Sequence, residues 1–214
     1  KSDYMSLRRS RNVTFANLAF EDCVFESPDE LRGIIEVQEC RSRRIRGTVQ
    51  LHHVRFRNNR FLGGVGLLLN TTSCSSLEMI DVQIRGNEWN RDCGAILSRR
   101  NTLRQIEITR NVHFGNVEVI PAILYGPPES TTDASRITVR NNEGNVLLVE
   151  AGSLTISSSQ FIQNSAFPTE EEDNYLGSIL HFFNSSVVID DCNFETNGGD
   201  FGSARSEEHT SELQ

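Results

Sequence analysis

The chain has 214 residues, with 29 acidic against 21 basic side chains, a formal charge of −8, 37% hydrophobic residues and five cysteines. That length suits one large domain, no run approaches the roughly 18 apolar residues of a membrane span, and the odd cysteine number has none of the close pairs of a zinc or redox motif. Charge is unevenly spread: residues 1–116 hold 18 Lys or Arg against 13 Asp or Glu, and residues 117–204 hold 2 against 13.

Taken in chain order, residues 1–12 read as an irregular start, and the chain reads as a fragment truncated at both ends. From residue 13 to 204 one phrase recurs: apolar, any, apolar, polar residues, then small or apolar, any, apolar, and an asparagine three residues on. A first copy is expected at Leu18, Phe20, Cys23 and Phe25, meeting Pro28 where others have asparagine. Fuller copies follow at Val49, Leu51, Val54, Phe56, Asn59 and at Leu77, Met79, Val82, Ile84, Asn87. Looser ones end at Ile106, Ile108, Asn111 and at Ile137, Val139, Asn142. The last two are Leu154, Ile156, Ser159, Phe161, Asn164 and Val187, Ile189, Cys192, Phe194, Asn197.

Between copies lies a second apolar run: 34–37, 65–69, 95–97, 122–125, 146–149 and 179–183. The final apolar positions, at 25, 56, 84, 108, 139, 161 and 194, stand 22 to 33 residues apart, a spread natural for constant strands joined by variable loops. Residues 205–214 read as an in-frame translation of a sequencing-library adapter and are set apart as a non-native tail.

Period-two alternation turns one side of each strand inward, and Asn, Gly and Ser mark the corners. A 22-residue pass at about 3.3 Å per residue closes a path of about 70 Å, a narrow solenoid with a filled interior. The expected fold is all-β: a single-stranded right-handed parallel β-helix of about seven coils. No segment sustains helical spacing for three turns. Asn59, Asn87, Asn111, Asn142, Asn164 and Asn197 are expected to form an internal ladder, because a side-chain amide can bond the rungs above and below, and asparagine tolerates the left-handed backbone of a sharp corner.

The corner phrases Phe56-Arg57-Asn58-Asn59, Phe161-Ile162-Gln163-Asn164 and Phe194-Glu195-Thr196-Asn197, with the glycine-led strands Gly63-Gly64-Val65-Gly66 and Cys93-Gly94-Ala95-Ile96, resemble the repeats of polymorphic outer membrane proteins. More broadly, the region from about residue 13 to 202 is similar to the pectate-lyase-like β-helix superfamily. The resemblance implies a secreted or surface-displayed adhesion passenger, hence an extracellular or cell-surface location. It also implies the lyase alternative, in which acidic residues on adjacent rungs hold calcium beside a basic residue. No such acidic column is found here.

Asp190 and Asp191 are the obvious carboxylate pair, but they share the polar slot read for Glu21-Asp22, His52-His53 and Ser157-Ser158, which points to a solvated bend. The run Glu170, Glu171, Glu172, Asp173 reads as a charged loop, since consecutive residues do not all face one ion. His52, His53, His113 and His181 share no metal spacing. No catalytic residue, metal ligand or cofactor is assigned. Cys23 and Cys192 are expected in the inward slot of Val54 and Val82. Cys40 and Cys74 follow the second strand of successive coils, where a disulfide is one option. Asn12, Asn70 and Asn184 open sequons at about the chance number.

Aligned, the repeats place Arg57, Arg85 and Arg140 in one outward column, with Thr109 between the last two. Arg41, Arg43, Arg44 and Arg46 mark a loop edge, and Arg99 and Arg100 another. Arginine forks suit sulfate, carboxylate or phosphate groups. The leading expectation is therefore a non-catalytic surface scaffold that binds an acidic polysaccharide or cell-surface glycan, and not nucleic acid. The alternatives are a lyase or hydrolase whose catalytic coils lie elsewhere, and a purely structural stalk.

Overall fold

A strand that alternates apolar and polar side chains can bury its apolar side only if other layers close over it. In the computed structural model, which describes residues 5–8, 12–26, 32–38, 41–42, 45–63, 66–89, 94–113, 122–165, 179–198 and 204–207, parallel sheets formed by successive passes of the chain make that closure. One sheet stacks Met5–Arg8, Arg32–Gln38, Gly66–Asn70, Ala95–Ile96, Ala122–Gly126, Asn145–Glu150, Leu180–Phe183 and Ala204–Glu207. The longest stacks Asn12–Ala16, Thr48–His52, Ser76–Arg85, Arg100–Thr109, Thr131–Ser135, Ser153–Ser157 and Ser186–Asp190, with short strands continuing each pass. The third stacks Val24–Glu26, Arg60–Gly63, Glu88–Trp89 and Val112–His113, then continues as single bridges through Glu143, Ser165 and Gly198.

Among the described residues there is no helix, and the one antiparallel pair is Arg41–Ser42 with Ile45–Arg46. The architecture is all-β, built of parallel sheets, and compatible with a β-helix-like solenoid.

The register is ungapped over a constant segment that starts at residues 12, 48, 76, 100, 131, 153 and 186 and ends at 23, 59, 87, 111, 142, 164 and 197. Inward residues of one pass sit on those of the next. Val49, Leu51, Val54 and Phe56 are each 1% exposed or less and belong to one continuous core. Aromatic rings stack along it: Phe20 on Phe56 at 5.4 Å, Phe25 on Phe61 at 4.9 Å and Phe161 on Phe194 at 4.7 Å between centroids. Each such buried side chain contributes roughly 1.5–3 kcal/mol.

Several sequence expectations need correcting. The first copy is displaced by five residues: Phe20 pairs with Phe56 and Phe25 with Phe61, so the phrase is Val13, Phe15, Leu18, Phe20, followed by Cys23 at the asparagine position. The interval to the next copy is then 36 residues, wider than the expected spread, and the later ones are 28, 24, 31, 22 and 33. Cys23 thus takes the place of Asn59 rather than of Val54, and Ala16-Asn17 rather than Glu21-Asp22 shares the slot of Asp190-Asp191. Residues 1–12 are not wholly irregular: Met5–Arg8 is a strand on Arg32–Gln38, since Leu7 packs against the core. Ala204–Glu207 pairs with Leu180–Phe183 across the boundary drawn at residue 205, because ladder bonds use backbone groups that any extended segment supplies.

The six asparagines lie directly above one another and are buried, Asn197 less so. Each interior amide is fully used. Asn87 Nδ2 donates to the Phe56 carbonyl at 2.9 Å and to Asn111 Oδ1 at 3.0 Å, while Asn87 Oδ1 accepts from the backbone N–H and the Nδ2 of Asn59. The pattern repeats through Asn142 and Asn164 to Asn197, and Cys23 N–H donates to Asn59 Oδ1 at the other end.

The left-handed residue is not the ladder asparagine but the one before it: Asp22, Asn58, Gly86, Arg110, Asn141, Gln163 and Thr196 all have φ between 50° and 63°. A second left-handed column stands at Asn17, His53, Asp81, Gln105, Arg136, Ser158 and Asp191. These two corners bound the short outer strand of every pass. At Gly86 a Cβ would lie 2.6 Å from Asn58 Oδ1, so a side chain there requires the Asn58 amide to shift.

Asn111→Ala orphans the Asn87 N–H, one Asn87 Nδ2 hydrogen and the Ile84 carbonyl. The expected cost is about 2–5 kcal/mol, read by urea denaturation; parent-like stability would remove the ladder as a structural cause. Gly86→Ala is expected to cost about 1–2 kcal/mol. Adding Asn58→Ala should recover part of that loss, and strict additivity in the double-mutant cycle would contradict the steric reading.

Candidate functional site

At the left-handed column of Asn17, His53 and Asp81, outward side chains of three successive passes line a surface cleft of about 260 Å³: Asn17, His53, Arg55, Asp81 and Gln83. His53 and Asp81 both stand six residues before a ladder asparagine, so the register stacks them, and His53 Nδ1 lies 2.6 Å from Asp81 Oδ2. A carboxylate only accepts, so Nδ1 carries the proton of this bond. Both side chains are more than half exposed, and Asp81 is the only side-chain hydrogen-bond partner of His53 among the described residues.

Around the cleft the outer face is tied by pairs that run from pass to pass. Glu21 lies 3.7 Å from Arg55 Nε and 3.8 Å from Arg57 Nη1, and Arg57 Nη2 donates to Gln83 Oε1 at 3.1 Å. Arg60 Nε donates to Glu88 at 2.8 Å, and Asn58 Nδ2 to Asp22 at 3.0 Å. Towards the start of the long strands, Thr14 donates to Gln50 and Gln50 to Glu78, with His52 Nε2 3.7 Å from Glu78. Exposed pairs of this kind stabilise by less than about 1 kcal/mol each; their effect is to fix which polar atoms face outward.

The arginines singled out in the sequence do not form one patch. In register the column reads Glu21, Arg57, Arg85, Thr109, Arg140, Ile162, Glu195. Arg57 is partly neutralised by Glu21, whereas the Arg85 and Arg140 side chains have no ion pair or hydrogen bond among the described residues. Arg99, 4.0 Å from Glu129, and Arg100 lie at the other end of the strand Arg100–Thr109, beyond the corner at Gln105. Arg41 and Arg46 lie in the antiparallel hairpin, and Arg43 and Arg44 fall outside the described residues.

Of the other chemistry-bearing residues, Asp190 and Asp191 are exposed, and Asp191 accepts from Ser158 Oγ at 3.1 Å. Residues 170–173 and Cys40 lie outside the described residues, so the Cys40–Cys74 option does too; Cys74 is buried in the core. Cys192 fills the inward slot, and burial pushes its thiol pKa up, away from nucleophile chemistry at neutral pH. Among the described residues no group of three His, Cys, Asp or Glu is placed to hold a metal ion, and no helix is long and apolar enough to cross a membrane.

Comparison with known protein families, with curated proteins and with solved structures finds no match to this chain.

In the sequence Asp81 and Arg55 are not singled out, and His53 reads only as part of a solvated polar slot and as a histidine without metal spacing. The available signal was the shared offset of His53 and Asp81 from their asparagines. Asp81→Asn is expected to change stability by less than about 1 kcal/mol in urea denaturation; a larger loss would make the pair a structural element rather than a surface one.

Proposed function

We propose that the chain is a right-handed parallel β-helix of seven coils, acting as a non-catalytic recognition scaffold, extracellular or on a cell surface, that binds glycans along its outer face. The observation that carries the reading is the polar cleft at Asn17, His53, Arg55, Asp81 and Gln83. Its two columns continue with outward polar residues on every later pass: Gln105 with Glu107, Arg136 with Thr138, Ser158 with Gln160, and Asp191 with Asn193. Sugar hydroxyls both donate and accept, and a surface of amides, a carboxylate, an imidazole and a guanidinium offers both roles at close spacing. The right hand follows from the preference of parallel crossovers. Arg85 and Arg140, without an ion pair among the described residues, favour acidic glycans, and the stacked aromatic rings lie in or against the core rather than on the outer face, which disfavours nucleic-acid bases.

A glycan array followed by calorimetry tests the reading. An acidic polysaccharide should bind without turnover, and the Arg55→Ala, Gln83→Ala double variant should weaken binding by about tenfold or more. A folded chain that binds no glycan would leave the structural stalk instead.

A second reading, a polysaccharide lyase or hydrolase, is favoured by one feature: an Asp-bonded imidazole beside an arginine has the parts of a general base next to a cation. Release of unsaturated or new reducing ends by the parent, lost in His53→Ala, would move the assignment to that reading.

A further inference from the structure

Thr109 occupies an outward position, yet it is only 8% exposed, and its hydroxyl has no hydrogen-bond partner among the described residues. A buried hydroxyl without a partner is unusual, because it gives up its bonds to water for nothing. The residue beneath it in register is Arg85 and the one above is Arg140, and neither side chain is otherwise engaged among the described residues. Their backbones stand two rungs apart, about 10 Å, a span that two arginine side chains can close over the threonine between them. Arg110, exposed at the next corner, adds a third positive charge. The acid on the same strand is Glu107, in the neighbouring column, and no ion pair joins it to any of the three among the described residues.

We propose that Arg85, Thr109 and Arg140 form an oxyanion clamp, which binds a sulfate or carboxylate group of a glycan lying along the stack. This deepens the glycan reading and rests on it for the source of the anion. The two guanidinium groups hold the anion between them, and the Thr109 hydroxyl donates to it once the arginine stems swing towards the ligand. The donor set is fixed by register rather than by a loop: the threonine is pinned in a central strand, and the arginines stand on its hydrogen-bonded neighbours. The cleft at His53 and Arg55 lies one to three passes earlier on the same face, so a linear acidic glycan could engage both.

The test uses the full chain with sulfated dextran, unsulfated dextran, a DNA duplex and inorganic sulfate against chloride at equal ionic strength. Binding is followed by calorimetry and by ligand-induced change in melting temperature. Thr109→Val keeps the shape and β-branching, so the unliganded melting temperature should stay the same or rise, while affinity for sulfated dextran falls about tenfold. Arg85→Gln and Arg140→Gln should each lower it about tenfold or more, and unsulfated dextran should be insensitive to all three.

Sulfated dextran that binds Thr109→Val as tightly as the parent would overturn the clamp, even if the Arg55 variant still weakened glycan binding. If neither dextran bound, but inorganic sulfate stabilised the parent and not Thr109→Val, the clamp would stand and the glycan reading would fall. DNA binding that depends on Thr109, with no binding of sulfated dextran, would overturn the proposal in favour of a nucleic-acid surface.

Discussion

The structure depends on one repeated hydrogen-bond arrangement, the file of asparagine amides from Asn59 to Asn197. A sharp turn in a closed stack buries backbone groups that no strand ladder reaches. From Asn87 on, each side-chain oxygen accepts both the backbone N–H and the Nδ2 of the asparagine in the pass before it, Asn59 Oδ1 accepts the Cys23 N–H, and each Nδ2 also bonds a carbonyl near the end of the preceding short strand. The two donors and the acceptor of an interior amide are all used, so the amide itself carries no orphan group. Replacement by an apolar residue cannot satisfy these partners, and an aspartate could accept but not donate.

The ladder also offsets a local cost. At least two residues per pass adopt left-handed backbone, with a third at Glu129, Ala151 and Asn184 in the last three, and besides asparagine, aspartate and glycine they include Arg110, Gln163 and Thr196, side chains for which that conformation is unfavourable by about 1–2 kcal/mol each. The turn is held from outside the residue that makes it. Such residues are therefore free to be chosen for their outward side chains, which is how His53, Asp81 and Arg136 come to stand on the outer face. Variable loops absorb the change in repeat length, and the segment between the two corners stays ungapped.

Much of this was legible in the chain. Alternating apolar residues and the asparagine three positions after Phe56, Phe161 and Phe194 gave parallel stacking and the ladder positions directly. The first copy was misread because its ladder position holds Cys23, and without the asparagine to fix phase, Leu18, Phe20, Cys23 and Phe25 fit the apolar pattern as well as Val13, Phe15, Leu18 and Phe20 do. The left-handed corners were hidden because their occupants have no common chemistry. The Arg57, Arg85, Arg140 column was readable, but not the neutralisation of Arg57 by Glu21, since that contact needed the corrected register. The pairing of His53 with Asp81 likewise becomes visible only when two copies are aligned on their asparagines.

The most direct test of the central claim is residue-resolved amide hydrogen exchange by NMR. The backbone N–H groups of Asn59, Asn87, Asn111, Asn142 and Asn164 bond side-chain oxygens rather than a strand partner. If those oxygens hold the corners, the amides exchange as slowly as core-strand amides such as that of Leu103, at the level of global unfolding. Exchange at the rate of exposed turns, with the strands still protected, would show that the stack stands without the ladder and would contradict the account.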